Sequence, residues 1–74
     1  MSDKIPFGVL DGRLNACPEP QSHWRHYKGG EYVVVGAAIC EADQQPWVVY
    51  RPVERLTVFC RPLQEWHEKF TPRD

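Results

Sequence analysis

Tyr27-Lys28-Gly29-Gly30-Glu31-Tyr32-Val33-Val34-Val35-Gly36-Ala37-Ala38 is the stretch whose reading decides the fold. Gly29 and Gly30 supply the positive φ angles of a tight hairpin turn without a Cβ penalty. The valine run that follows is stiff at χ1 and suits a pleated strand better than a helix. The expectation is a hairpin in which Trp24–Lys28 pairs with residues 31–39 through a two-residue Gly-Gly turn. On the second strand Tyr32, Val34, Gly36 and Ala38 share one face, and Val33, Val35, Ala37 and Ile39 the other. On the first strand either Trp24, His26 and Lys28 or Arg25 and Tyr27 face inward, and Tyr27 is the better core residue. Gly36 marks a bend or bulge, where another backbone comes close.

Working outward, Glu41 to Pro46 is polar and ends in proline, so it reads as a loop. Trp47–Arg51 and Leu56–Arg61 are two further strands, each stopped by a proline, Pro52 and Pro62. The period then changes. Leu63, Trp66, His67 and Phe70 fall at helical spacing, Glu65 stands four residues before Lys69, and Pro62 suits a first helical position. Residues 1–22 carry the turn signals Pro6-Phe7-Gly8, Asp11-Gly12, Asn15 and Pro18-Glu19-Pro20. They read as a flexible or loosely packed arm, in which Ile5, Phe7, Val9 and Leu10 could form a short extended piece that docks on the domain. The domain proper spans residues 23–74.

Four short strands with one terminal helix form an all-β domain, a small half-open barrel whose curled sheet hides its edges. The chain has 74 residues, which bounds it to one domain. Three Trp, three Tyr and three Phe supply the bulky core that so small a domain needs. The net charge of −1 gives no global field toward nucleic acid or an anionic membrane. Met1-Ser2-Asp3-Lys4-Ile5-Pro6 lacks the apolar core of a signal peptide, and no apolar run spans a membrane. Cys17, Cys40 and Cys60 therefore read as reduced thiols in a cytoplasmic protein.

Several blocks together resemble a known family. Arg25-His26-Tyr27-Lys28-Gly29, then Tyr32, Val34, Gly36 and Ala38, then Glu41, Val48-Val49-Tyr50-Arg51 and Arg61-Pro62-Leu63 are similar in order and spacing to the bacterial domain of unknown function 1653. The resemblance covers residues 24–70. It departs at Cys40, where the family usually has Ser, at Trp66, where it usually has Phe, and in Pro52–Arg55, which lacks the glycines often seen there. It implies an SH3-like barrel and no activity.

The candidate ligand-binding residues are His26, Tyr27, Lys28, Glu41, Tyr50, Arg51 and Arg61. Arg51 and Arg61 are expected to project outward at strand ends beside Glu41, with Tyr50, Val58 and Cys60 facing the core. They then form a two-fork clamp for a carboxylate or phosphate, walled by Tyr27 and Tyr50. The bland alternative is a set of surface ion pairs of little energetic weight. No zinc spacing is present: His23 and His26 are three apart on a strand and point to opposite faces. Neither a metal nor a cofactor is expected. A thiolate nucleophile has no evident base, and Glu54, Glu65 and Glu68 form no catalytic pair. The leading function is a non-catalytic binding or adaptor module for an anionic or peptide ligand. The alternatives are a nucleotide- or nucleic-acid-binding barrel using stacked rings, and a small enzyme using His26.

Overall fold

The computed structural model describes residues 12–73. Five strands form one antiparallel sheet: β1 His23–His26, β2 Glu31–Cys40, β3 Gln45–Pro52, β4 Phe59–Pro62 and β5 Phe70–Pro72. The helix α1, Leu63–Lys69, lies between β4 and β5. The strand order β4-β3-β2-β1-β5 is a meander whose last strand returns beside its first. The sheet does not close, since β4 and β5 are its two edges. The mainly-β class with one short C-terminal helix is as the sequence leads one to expect. The fifth strand is an addition to that expectation.

The β1–β2 connection differs from the expected two-residue turn. Trp24 pairs with Tyr32 and Arg25 with Glu31, and the connection occupies Tyr27–Gly30. Gly29 and Gly30 do take positive φ, 101° and 88°. His26 N–H donates to the Gly30 carbonyl (3.1 Å), and Gly29 N–H to the His26 carbonyl (2.8 Å). A direct Lys28–Glu31 turn would pair Tyr27 with Tyr32. The observed register is displaced from that by an odd number of residues, and an odd displacement exchanges the faces of a strand. Trp24 and His26 therefore turn inward, while Tyr27 is 62% exposed.

A second parity change follows in β2. Its pairing with β3 shifts between Val34 and Gly36, leaving Val35 as a bulge that is itself exposed. Val34 pairs with Tyr50, but beyond the bulge it is Ala37 that pairs with Val48. The core face thus runs Tyr32, Val34, Ala37, Ile39, in place of the unbroken alternation through Gly36 and Ala38.

The core is Val34, Val48, Tyr50, Trp66 and Phe70, with Trp24, Tyr32 and Leu63 packed against it. Leu63 and Trp66, three apart on α1, share one helical face, and α1 packs over β3, β4 and β5 with Phe70 following at the start of β5. Trp66 stacks on Phe70 (centroids 3.9 Å, planes at 8°) and meets Trp24 and Tyr50 edge-on at 5.4 and 5.0 Å. Pro62 sits one place before the expected first helical position, at the N-cap with φ −57° and ψ 142°. Phe70, extended at φ −125° and ψ 144°, ends the helix and begins β5.

β4 is shorter than expected: Leu56–Val58 lie outside it. Cys60 and Val58 are exposed, while Phe59 pairs with Tyr50 and Arg61 with Val48 on the core face. Of the N-terminal segment, Gly12–Ala16 forms a 3-10 turn and Arg13 Nη1 donates to the Gln44 carbonyl (2.7 Å). Gln21 N–H donates to the Val34 carbonyl (2.7 Å), and Val34 N–H to the Ser22 carbonyl (2.9 Å). The extended piece expected around Ile5–Leu10 lies outside the described residues.

Candidate functional site

Five of the seven candidate residues meet at one end of the helix-covered face. His26 sits there because the β1–β2 register turns it inward. Its ring is 4.9 Å from Phe70, edge-on, 6.3 Å from Tyr32 and 4.7 Å from Tyr27. Its Nδ1 accepts the Lys28 N–H (3.1 Å), so the neutral ring carries its proton on Nε2. Tyr27 N–H donates to the Lys69 carbonyl (2.8 Å), which ties the turn to the end of α1. The exposed Tyr27 ring consequently has Lys28 Nζ 5.6 Å and Lys69 Nζ 5.3 Å from its centroid.

Arg61 reaches the same place from β4. Its Nε donates to the Tyr50 hydroxyl (3.4 Å), its Cζ lies 5.6 Å over Phe70, and its Nη1 bridges to Glu65 Oε1 (3.2 Å). The Tyr50 hydroxyl, with Glu65 secondarily, holds the guanidinium more firmly protonated than usual. The His26 pKa is lowered, first by desolvation and then by Arg61, Lys28 and Lys69. Lys28 and Lys69 by Tyr27, and Arg61 over Phe70, thus flank the His26 ring, which lies against an aromatic floor of Tyr32, Tyr50 and Phe70. The rim is Tyr27 and Phe59, the latter 44% exposed. An arrangement of this kind offers forked and point-like donors to an anion, with flat apolar surface beside them.

Arg51 and Glu41 are elsewhere, so the expected two-fork clamp does not form. Arg51 pairs with Val33 while its neighbour Tyr50 pairs with Val34 in the core, which puts Arg51 on the outer face. There its Nη1 donates to the carbonyls of Pro52 (3.1 Å), Val53 (3.2 Å) and Arg55 (3.0 Å), clipping the β3–β4 loop. Arg61 is on the opposite, core face. Paired residues share a face, and Arg61 pairs with the buried Val48 while Cys60 pairs with Val49, so Cys60 points outward where it was expected to face the core. Glu41 lies in the β2–β3 turn, beyond the Cys40–Gln45 pair. At roughly 3.3 Å per residue, that is about 20 Å along β3 from Arg51.

Lys69 was not among the candidates. Only β5 brings it to Tyr27, and the signal for β5 is the brief Phe70-Thr71-Pro72 after a helix, too short to register as a strand. Among the described residues, open clefts lie outside the aromatic patch, the first bordering it at Glu65. One of about 550 Å³, between α1 and the β2–β3 turn, is lined by Asp43, Glu65, His67 and Glu68 among others. The others, about 270 and 410 Å³, border Arg25 and Arg73 on β1 and β5, and Arg51 with His23 on the outer face. Among the described residues no three His, Cys, Asp or Glu side chains gather to hold a metal ion. Nor is any described helix long and apolar enough to cross a membrane.

No match was found among curated proteins or among solved structures. A family model described as a protein of unknown function (DUF1653) matches residues 22–73, which takes in all five strands and the patch around His26. The chain belongs to that family, the domain of unknown function 1653.

Proposed function

We propose that the protein is a non-catalytic binding module that takes an anionic group, presented on a peptide, at the patch of His26, Tyr27, Lys28, Tyr50, Arg61 and Lys69. The observation that carries this reading is that Lys28 and Lys69 lie by the exposed Tyr27 ring and Arg61 over Phe70, with the His26 ring beside both. Like charges gathered at one spot cost energy unless a counter-charge arrives, and Glu65 meets only one of them. A carboxylate or phosphate supplies the rest.

A His26-based enzyme is less well supported, because Nδ1 is occupied by the Lys28 N–H and no carboxylate there orients the ring as a general base. Nucleic acid is less well supported because the net charge is −1, which gives no field toward phosphate beyond the patch itself. We place the module in the bacterial cytoplasm. Its three thiols are free, as a reducing compartment keeps them.

The test is an NMR titration of the protein with an acidic peptide, inorganic phosphate and a single-stranded oligonucleotide. Amide shifts confined to His26–Gly30, Arg61 and Lys69 with the peptide support the reading. Response to the oligonucleotide alone, or shifts centred elsewhere, would overturn it.

A further inference from the structure

Given the ligand reading above, on which this rests, we propose that the peptide carries a second carboxylate two residues along from the first, bound between Arg25 and Arg73 on the outer face of β1 and β5. The β1–β5 ladder sets the spacing. Arg25 pairs with Thr71 on one side and Glu31 on the other, so these three share the face opposite to that of Trp24 and His26. Tyr27 N–H donates to the Lys69 carbonyl (2.8 Å) and Arg73 N–H to the His23 carbonyl (2.9 Å), which continues the ladder in both directions. Tyr27 and Arg73 therefore fall on the face of Arg25 and Thr71. Along it the cations come in two groups. Lys28 and Lys69 lie by the Tyr27 ring, and Arg25 and Arg73 border a cleft of about 270 Å³ that Thr71 and Pro72 also line. The step from Tyr27 to Arg25 is about 7 Å, the repeat of alternate side chains on an extended peptide.

The second group is short of negative charge. Glu31 Oε2 takes both guanidiniums, Arg25 Nη2 at 3.3 Å and Arg73 Nη1 at 2.8 Å, so one oxygen serves two forks. Among the described residues neither guanidinium has another hydrogen-bond acceptor, and the two side chains are 57% and 42% exposed. Their remaining donors face solvent, ready for a further anion. The group that already bridges them is a carboxylate, the partner whose geometry an arginine fork matches. The edge of β5 takes no strand, because Phe70 N–H donates to the Trp66 carbonyl and Pro72 has no N–H. The peptide is therefore read through its side chains, and an acid-x-acid run in extended form sets one carboxylate at each group. Nucleic acid fits this face less well, since no aromatic residue lines the cleft to stack on a base.

The test is a fluorescence-anisotropy titration of the full chain with otherwise identical serine-rich peptides containing Glu-Ser-Glu, Glu-Glu-Ser or Glu-Ser-Ser. Glu-Ser-Glu should bind about tenfold more tightly than Glu-Ser-Ser, the gain from one further charge-assisted contact. Glu-Glu-Ser, whose second carboxylate points to the other side of the peptide, should bind close to Glu-Ser-Ser. Arg25→Gln/Arg73→Gln should abolish the gain and leave Glu-Ser-Ser affinity unchanged. Glu31→Gln keeps both arginines and removes the competing carboxylate, so it should enlarge the gain. Equal affinity for Glu-Ser-Glu and Glu-Glu-Ser, a gain that survives the arginine variant, or no added gain in Glu31→Gln would overturn the second anchor. If Glu-Ser-Ser still binds at the His26 patch in those cases, the ligand reading stands and this inference alone falls. Binding of none of the peptides, or of an oligothymidylate more tightly than Glu-Ser-Glu, overturns both.

Discussion

The two hairpin turns at opposite ends of β2 handle charge in opposite ways. In the β2–β3 turn, Asp43 is consumed by its own surroundings: Oδ1 accepts the Gln45 N–H (3.0 Å) and Oδ2 the Trp47 Nε1–H (3.2 Å). The Gln45 N–H above all, and the Trp47 indole after it, hold the carboxyl below its usual range. In the β1–β2 turn the arrangement is reversed. Lys28 and Lys69 approach a ring, and the one polar side-chain atom used by the backbone is His26 Nδ1. One turn satisfies its charge internally, and the other directs charge outward over aromatic surface. Charge spent on holding a turn is structural, whereas charge left without a counter-ion is available to a ligand.

The largest effect expected lies beneath both turns. Trp66→Ala should cost about 3–5 kcal/mol, because it empties a fully buried site stacked on Phe70. That is most of the stability of a small domain. Trp66→Phe should cost much less, since the indole Nε1–H has no hydrogen-bond partner among the described residues. Chemical denaturation of the two variants checks this, and equal losses would mean that α1 is held by something other than ring stacking.

Next comes the contrast between the two arginines. Arg51→Ala removes three contacts to loop carbonyls and should cost about 1–3 kcal/mol, the range of hydrogen bonds from a charged donor. Arg61→Ala should leave the melting temperature closer to that of the wild type. Thermal melts that rank them the other way would exchange their roles. Gly30→Val follows, at about 1 kcal/mol or more, since a β-branched residue resists φ of 88° and its Cβ would lie 3.4 Å from the Tyr32 ring. A melt without loss would contradict the positive-φ turn.

The smallest effects are in pH dependence, and they separate the two turns. His26 titrates below the ordinary histidine value. The stability tied to its neutral ring is therefore complete above about pH 6.5 and is lost as pH falls through the folded value. Asp43 also titrates below its ordinary value, so its contribution is complete above about pH 4 and is lost only as pH falls further. NMR titration of the two side chains should show two separate steps. An anion bound at the patch should raise the His26 step and leave the Asp43 step in place.

Much of this was legible in the chain. Gly29-Gly30, the valine run, the prolines after Arg51 and Arg61, and the Leu63–Trp66–Phe70 spacing report local conformation, and they locate four strands and the helix. What they do not report is parity. The β1–β2 register turns Trp24 and His26 inward and Tyr27 outward, and the bulge at Val35 exchanges faces again along β2. The β3–β4 register, which sets Arg61 opposite the buried Val48, separates Arg51 from Arg61. Lys69 depends on β5, whose Phe70-Thr71-Pro72 acts as a strand only because β1 lies beside it.

The most direct measurement compares anion affinity after neutralising each turn. Peptide titrations would be run on Lys28→Ala/Lys69→Ala, on Arg61→Ala and on Asp43→Asn. Each of the first two should weaken binding by about tenfold or more, as loss of a charge-assisted contact does, while Asp43→Asn should leave affinity unchanged. Full affinity in both patch variants, or a loss in Asp43→Asn alone, would contradict the assignment of the ligand site to the β1–β2 end of the sheet.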